Sequence, residues 1–422
     1  MQESLCDCLL VLWLNSIIEV VPVRLASTFA ELLIGAVLSR SGHITDALLS
    51  IGYRKHHTTY YWMLTTGKWS SLQLNQRLVE LIVTTFPRVE FNLLLDDFIC
   101  PRSTDKAPHA KYHHEHSKKP NRPEYLWGQQ WLGLSLSISW GGNHVALPIF
   151  LRLHKSVGNS TKLSRGVMLI KFILPILQKA GKTIRVLVDS WYMKAPFVLP
   201  LLMLGLHVIG QARKDTALFE SPLPTTRKTR GRPRKYGGRW TPERVKTLPV
   251  KTVVLNVYGS CKDVKYRSVK CLARFLNGHT VTAVWCQLPK QKSWSLILST
   301  DLTLTPERII KLYARRWRTE PMFNEIKHAY GVAQAWQQKS RTLHRWVTIL
   351  CTAYSLTRML ALVIGQKKNE NAVPHIAWRQ NSPVTAGLMR KGIQLFFCRF
   401  TFSMLWQSKY KKLMIPKNNI ST

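Results

Sequence analysis

Acidic residues are scarce: 22 Asp and Glu stand against 61 Lys and Arg in 422 residues, a formal net charge of +39. Such an excess opposes compaction by self-repulsion unless a polyanion neutralises it, and nucleic acid is the commonest polyanion that also releases counterions on binding. The basic residues run along the whole chain, which argues against a membrane-surface role. The eight cysteines form no C-x-x-C pair, which excludes a zinc knuckle and makes a reducing cytoplasm the default. Long apolar runs are missing too: none reaches the roughly 18 to 20 residues of a membrane span. The apolar opening carries Glu3 and Asp7 where a secretory signal needs positive charge, and Asn15, Glu19 and Pro22 interrupt it. The expectation is a soluble, internal protein with no membrane partner. What is present is 45% hydrophobic residues, enough for two or three folded units in a chain of this length.

Residues 1–88 read as an N-terminal helical region, with apolar residues at three- and four-residue spacing in "TFAELLIGAVLSRSG" and "LQLNQRLVELIVTTF". Basic and aromatic residues between them suit a DNA-binding helical unit. From Arg88 the pattern changes. "VEFNLLLDDF" is an apolar run ending in two aspartates, and "WLGLSLSISW" and "HVALPIFLRL", separated by "GGN", read as a hairpin. A helix, the run "TIRVLVDSWY", a second helix and the strand "HVIGQAR" follow. Three strands, helix, strand, helix, strand is the order of an RNase H-like domain, an α/β fold whose mixed sheet carries helices on both faces. Residues 89–213 are its first part. Residues 214–299 read as a basic linker and a β-rich insertion. The core resumes at 300–365 with the helix "TPERIIKLYARRW", where Thr305 is a cap and Pro306 a first-turn residue, and 366–422 form a basic tail.

Phosphodiester chemistry at neutral pH needs an activated water or 3′-hydroxyl and compensation for charge on the leaving oxygen, which two magnesium ions supply. Magnesium prefers carboxylate oxygens, so such a site gathers Asp and Glu on rigid elements. In a chain so poor in acids, Asp96, Asp97 and Asp189 at the ends of apolar strands are conspicuous, although a strand-end aspartate can also simply open a turn. A third ligand is found along "YARRWRTEPMFNEIK". At about 100° per residue, Tyr313, Arg316, Glu320 and Lys327 fall within one stripe about 60° wide. Glu325 falls well outside and reads as solvated. Pro321 is expected to bend or break the helix directly after Glu320.

These four positions reproduce the Y-x2-R-x3-E-x6-K signature, and from about residue 89 to 350 the chain resembles bacterial insertion-sequence transposases with an Asp-Asp-Glu triad. The resemblance implies an RNase H-like core, two Mg2+ or Mn2+ ions held by Asp96, Asp189 and Glu320, and phosphate contacts by Tyr313, Arg316 and Lys327. It also implies double-stranded DNA partners (terminal inverted repeats and target), a homodimeric synaptic complex and a bacterial, nucleoid-associated location. The family usually has Ser or Thr two residues after its first aspartate, where Phe98 stands here, so Asp96 and Asp97 both remain candidate ligands; Asp96, directly after "LLL", holds the family's position. An insertion aromatic stacks on a flipped base in the family's hairpin-forming members, and Trp294 resembles it, against the alternative of a buried strand tryptophan. The competing readings are a decayed copy that only binds DNA and a metal-dependent nuclease without strand transfer.

Two further segments draw attention. "RKTRGRPRKYGG" (227–238) resembles an AT-hook, with Arg230, Arg232 and Arg234 placed to enter a narrow minor groove, or else is a basic linker that touches phosphate alone. His109, His113, His114 and His116 crowd one Lys-rich loop and read as polar rather than zinc-binding. Asp105 and Asp301 read as turn or capping residues.

Overall fold

The structure is a computed structural model that describes residues 4–87, 89–114, 123–155, 159–181, 183–223, 234–366, 372–374, 376, 378 and 382–416. The helical spacing of the first segment produces five helices: α1 (Leu5–Ile18), α2 (Ala26–Leu38), α3 (Ile44–Leu49), α4 (His57–Thr65) and α5 (Ser71–Thr85). Ser4 and Ser70 cap α1 and α5 by accepting the Asp7 and Gln73 amides. Every residue of α2 except Ser27 is buried, so it is a core helix; its one charged residue, buried Glu31, accepts from Tyr60 and pairs with Lys55.

Strands β1 (Asn92–Pro101), β2 (Lys111–His114), β3 (Tyr125–Trp140) and β4 (Asn143–Leu153) lead into α6 (Asn159–Lys179), β5 (Arg185–Val188), α7 (Ala195–Met203) and β6 (His207–Ala212). The β3–β4 turn is made by Gly141 and Gly142, both at positive φ (+54° and +77°), the conformation a two-residue hairpin turn demands. β1 is antiparallel to β3 and parallel to β5, and β5 is parallel to β6. With β4 on β3, the order β4-β3-β1-β5-β6 is the mixed sheet expected of an RNase H-like core. β2 was not expected, because its segment reads as a polar loop. It pairs with the start of β3, burying His113 and setting Tyr112 against Trp127 at 5.1 Å.

The insertion comprises β7 (Leu218–Phe219), α8 (Pro242–Lys246), β8 (Lys251–Val257), β9 (Ser260–Ala273), β10 (His279–Gln287) and β11 (Ser295–Ser299). It continues the core sheet rather than standing apart, since β11 pairs antiparallel with β6, and β10 and β9 follow. The chain then enters α9 (Pro306–Arg316), capped by the Thr305 hydroxyl, and α10 (Thr319–Asn324), a π turn over Glu325–Ala329, α11 (Ser340–Ile364) and α12 (Ala386–Arg399).

α11 is long and apolar enough to cross a membrane, contrary to the sequence expectation, but 89% of its apolar window is buried inside the protein. It packs against β4 and against α1, α2, α4 and α5, so it is the central helix of a core that the N-terminal helices share. Arg345 donates to the carbonyls of Met63, Leu64, Gly67 and Trp69 and stacks over Trp69. Gly331, at φ +70°, meets Gly42 so closely that a Cβ on it would stand 1.9 Å from the Gly42 nitrogen. The Gly42 carbonyl accepts Trp346 Nε1 (2.7 Å) and its amide donates to Gln334 Oε1 (3.0 Å). Gly331→Ala therefore adds left-handed strain to a backbone collision and should cost about 2 kcal/mol or more in urea unfolding. A variant as stable as the parent would contradict this packing.

Candidate active site

The parallel pairing of β1 with β5 ends at Leu95 opposite Val188. The next residue in each case is an aspartate, so Asp96 and Asp189 stand side by side where the parallel pairing stops, a place where open α/β sheets bind ligands. Asp189 ends β5 as expected, but Asp96 and Asp97 do not end β1, which runs on to Pro101 because β3 keeps pairing with it. Asp189 Oδ1 accepts the amides of Trp191 (3.0 Å) and Tyr192 (3.3 Å), which fixes the turn leading to α7. Asp96 Oδ2 accepts from Arg316 Nη1 (2.9 Å) and Thr319 Oγ1 (3.2 Å), and Oδ1 from the Asp97 amide (2.9 Å). Burial pushes the Asp96 carboxyl up to about 7, with Arg316 pulling it down and Asp189 and Asp97 pushing it further up. Burial likewise raises Asp189, against the Tyr192 amide and Arg316.

Arg316 is the cation at the centre. Its Nη2 lies 3.5 Å from Glu320 Oε1, and although burial opposes its charge, Tyr313, Asp96, Asp189 and Glu320 together hold its pKa above the usual value. Tyr313 lies 5.9 Å under the guanidinium and donates its hydroxyl to Gln211 on β6 (3.0 Å). Burial pushes the phenol up to about 12. Lys327 sits 5.5 Å from the ring of Phe98, which packs on Phe323 at 4.5 Å. Phe98 thus spends its position supporting α10. Glu320 is half exposed on α10. Among the described residues no three His, Cys, Asp or Glu side chains are grouped to hold a metal ion. The structure brings Asp96 and Glu320 to one guanidinium, whose charge Asp189 also feels, but does not gather the three into a ligand cluster.

Two expectations for this stretch are corrected. The helix breaks at Trp317 and Arg318, before Glu320 rather than after it; Pro321 falls in the first turn of α10, where few amides have intrahelical partners. Glu325 is not solvated: its Oε2 is buried and its charge bears on buried Tyr330 and Tyr354. A wheel drawn through one straight helix cannot place a side chain beyond that break.

Asp97 points to the other face of β1. Lys162 Nζ reaches both of its oxygens at 3.1 Å, Tyr192 donates at 2.8 Å and Gln130 donates as well. Arg316 and Glu320 are on the Asp96 side. Lys162, which also stacks 3.6 Å over Trp191, was missed by sequence reasoning; its only signal is a lysine on the buried face of α6. Gln211 gave none.

The remaining candidates lie apart. Arg230 and Arg232 fall outside the described residues, as does His116, and Arg234 is exposed. Trp294 is half exposed just before β11, not buried within a strand. It stacks with Arg267 at 5.3 Å and lines a cavity of about 290 Å³ with Trp240 and Trp285. His113 bonds the Gly128 carbonyl (3.2 Å) while His114 faces Glu124 (3.3 Å), so these two do not converge. Asp301 caps Thr303 and also pairs with Arg185 at 2.8 Å.

A family model described as DDE superfamily endonuclease matches residues 28–268, more than half of the chain. The match takes in Asp96, Asp97 and Asp189 and ends before the stretch holding Tyr313, Arg316, Glu320 and Lys327. No curated protein matches the chain.

The raised Asp96 makes a pH prediction. Between the ordinary value of 3.8 and about 7, the metal-free folded state holds a proton that the unfolded chain has lost, so this group's contribution to stability falls as pH rises. Urea unfolding at pH steps across that window should show wild type losing stability relative to Asp96→Asn. A constant difference would contradict the burial described.

Proposed function

This chain belongs to the DDE superfamily endonucleases, and we propose that it is a DNA transposase that binds the inverted-repeat ends of an insertion sequence in the bacterial cytoplasm, cuts them and joins the freed 3′-hydroxyls to target DNA. One observation carries the reading. Asp96 and Asp189 share the edge of two parallel strands, and a glutamate more than a hundred residues later reaches the same guanidinium. The family typically uses divalent metals, and the donor set fits hard cations: carboxylate oxygens, two of them disfavoured as anions by burial. Asp96, Asp189 and Glu320 would hold two Mg2+ or Mn2+ ions, which when bound activate the attacking oxygen and offset charge on the leaving one.

The chain's own groups do the positioning. Arg316, Tyr313 and Lys327 line the approach to the carboxylates and contact phosphates flanking the scissile bond. Asp97 is held by Lys162 and Tyr192 and keeps the Asp189 turn in place. Trp294 offers a base-sized aromatic face on the insertion, while Arg234 with the segment around it supplies backbone contacts. Two copies acting on paired ends make the synaptic complex.

Purified protein incubated with magnesium and DNA carrying the element's own ends should give joined products. Cuts without joining would reduce the reading to a nuclease, and binding without cutting would overturn catalysis. Glu320→Gln should slow cutting by about 10³-fold or more while binding in a gel-shift assay is retained; unchanged cutting would discard this glutamate.

A further inference from the structure

We propose a second DNA-backbone site on this chain, a cavity of about 500 Å³ between the end of β4, α6, the start of α5 and the start of α11, which takes duplex phosphates away from the scissile bond. It is lined by Arg152, Lys155, Arg165, Arg341 and Arg345, beside Trp69 and the serines that open α5. No Asp or Glu lines it, and among the described residues none of Arg152, Lys155, Arg165 and Arg341 forms an ion pair with a carboxylate. Elsewhere this protein neutralises its crowded arginines: Glu90 alone pairs with Arg185, Arg308 and Arg315. Here the counter-charge is left to come from outside.

The guanidinium groups are held by neutral oxygens. Arg165 donates to the Leu153 carbonyl at 2.8 Å and Arg152 to that of Leu151 at 3.4 Å, which orients them while leaving most of their N–H donors unspent. Arg345 is committed to four carbonyls and serves as the cavity's wall. Burial lowers Arg152 to about 10, a cost that a phosphate would offset. The N-terminus of α5 adds amides that favour an anion.

The cavity lies on the Asp97 side of β1. Arg165 is one turn along α6 from Lys162, which holds Asp97. Buried His154 is held down to about 4, first by burial and then by the charges of Lys111, Lys162 and Arg165. Positive charge therefore gathers on this side of β1, next to the cavity. A polyanion that presents several phosphates in a row fits it, and duplex DNA is that partner; the assignment rests on the proposed DNA substrate.

The test uses Lys155 and Arg341, both exposed and neither placed in the reaction centre. Binding of a labelled random-sequence duplex is measured by fluorescence anisotropy over a salt series for wild type, for Lys155→Gln/Arg341→Gln and for Lys155→Arg/Arg341→Lys. The neutral pair should weaken binding about tenfold or more and lower the magnitude of the log–log salt slope by about 2, as expected for two lost phosphate contacts, while the charge-keeping pair stays near wild type. Wild-type binding with an unchanged slope in the neutral pair overturns this site and leaves the proposed function standing. A wild type that does not bind the duplex at low salt overturns the DNA reading itself, and this site with it.

Discussion

Two carboxylates side by side where the pairing of two parallel strands stops repel each other and lose hydration, and the molecule answers with a single guanidinium. The pairing of Leu95 with Val188 makes Asp96 and Asp189 neighbours, and burial drives both toward the protonated form. Arg316 is the charge that lets Asp96 remain there at 2.9 Å. The site is built to hold positive charge, and its architecture serves to deliver that charge from a distant part of the chain.

Delivery depends on the insertion. Because β11 pairs with β6, the long excursion through β7 to β11 returns the chain to the sheet it left. α9 then packs on β5 and β6 and carries Arg316 over β1. The short break at Trp317 and Arg318 turns the chain into α10, so Glu320 comes back toward the same guanidinium, and Phe323 of α10 settles on Phe98. The contact of Gly42 with Gly331 and the four bonds of Arg345 tie the N-terminal helices to the segment just beyond. A scaffold this interlocked can hold an arginine and three carboxylates in fixed relation, which positioning for phosphoryl chemistry requires.

What the sequence revealed was what local periodicity encodes. The β3–β4 hairpin is announced by its two glycines, α9 by Thr305 and Pro306, and the aspartates by the apolar runs just before them, although β1 continues past Asp97 to Pro101. Tyr313, Arg316, Glu320 and Lys327 share a stripe on a straight wheel; in space Arg316 lies between Tyr313 and Glu320, across a helix break the wheel does not contain, and Lys327 lies against Phe98. β2 escaped because histidine and lysine side chains hide a pairing that β3 imposes from a distance, and the insertion's union with the core sheet depends on a register no local pattern carries. Glu325 was misread because a wheel cannot foresee a break, and Lys162 because a buried lysine is recognised only by its partner, here Asp97 on another element.

As proposed, Asp96, Asp189 and Glu320 would share divalent cations. Ferrous iron bound in place of magnesium reduces added hydrogen peroxide to hydroxide and a hydroxyl radical, becoming ferric, and the radical cuts the polypeptide beside the metal. The account predicts cuts clustered near residues 96, 189 and 320, suppressed by excess magnesium. Cuts confined to other segments, or cuts at one of these positions without the other two, would contradict it.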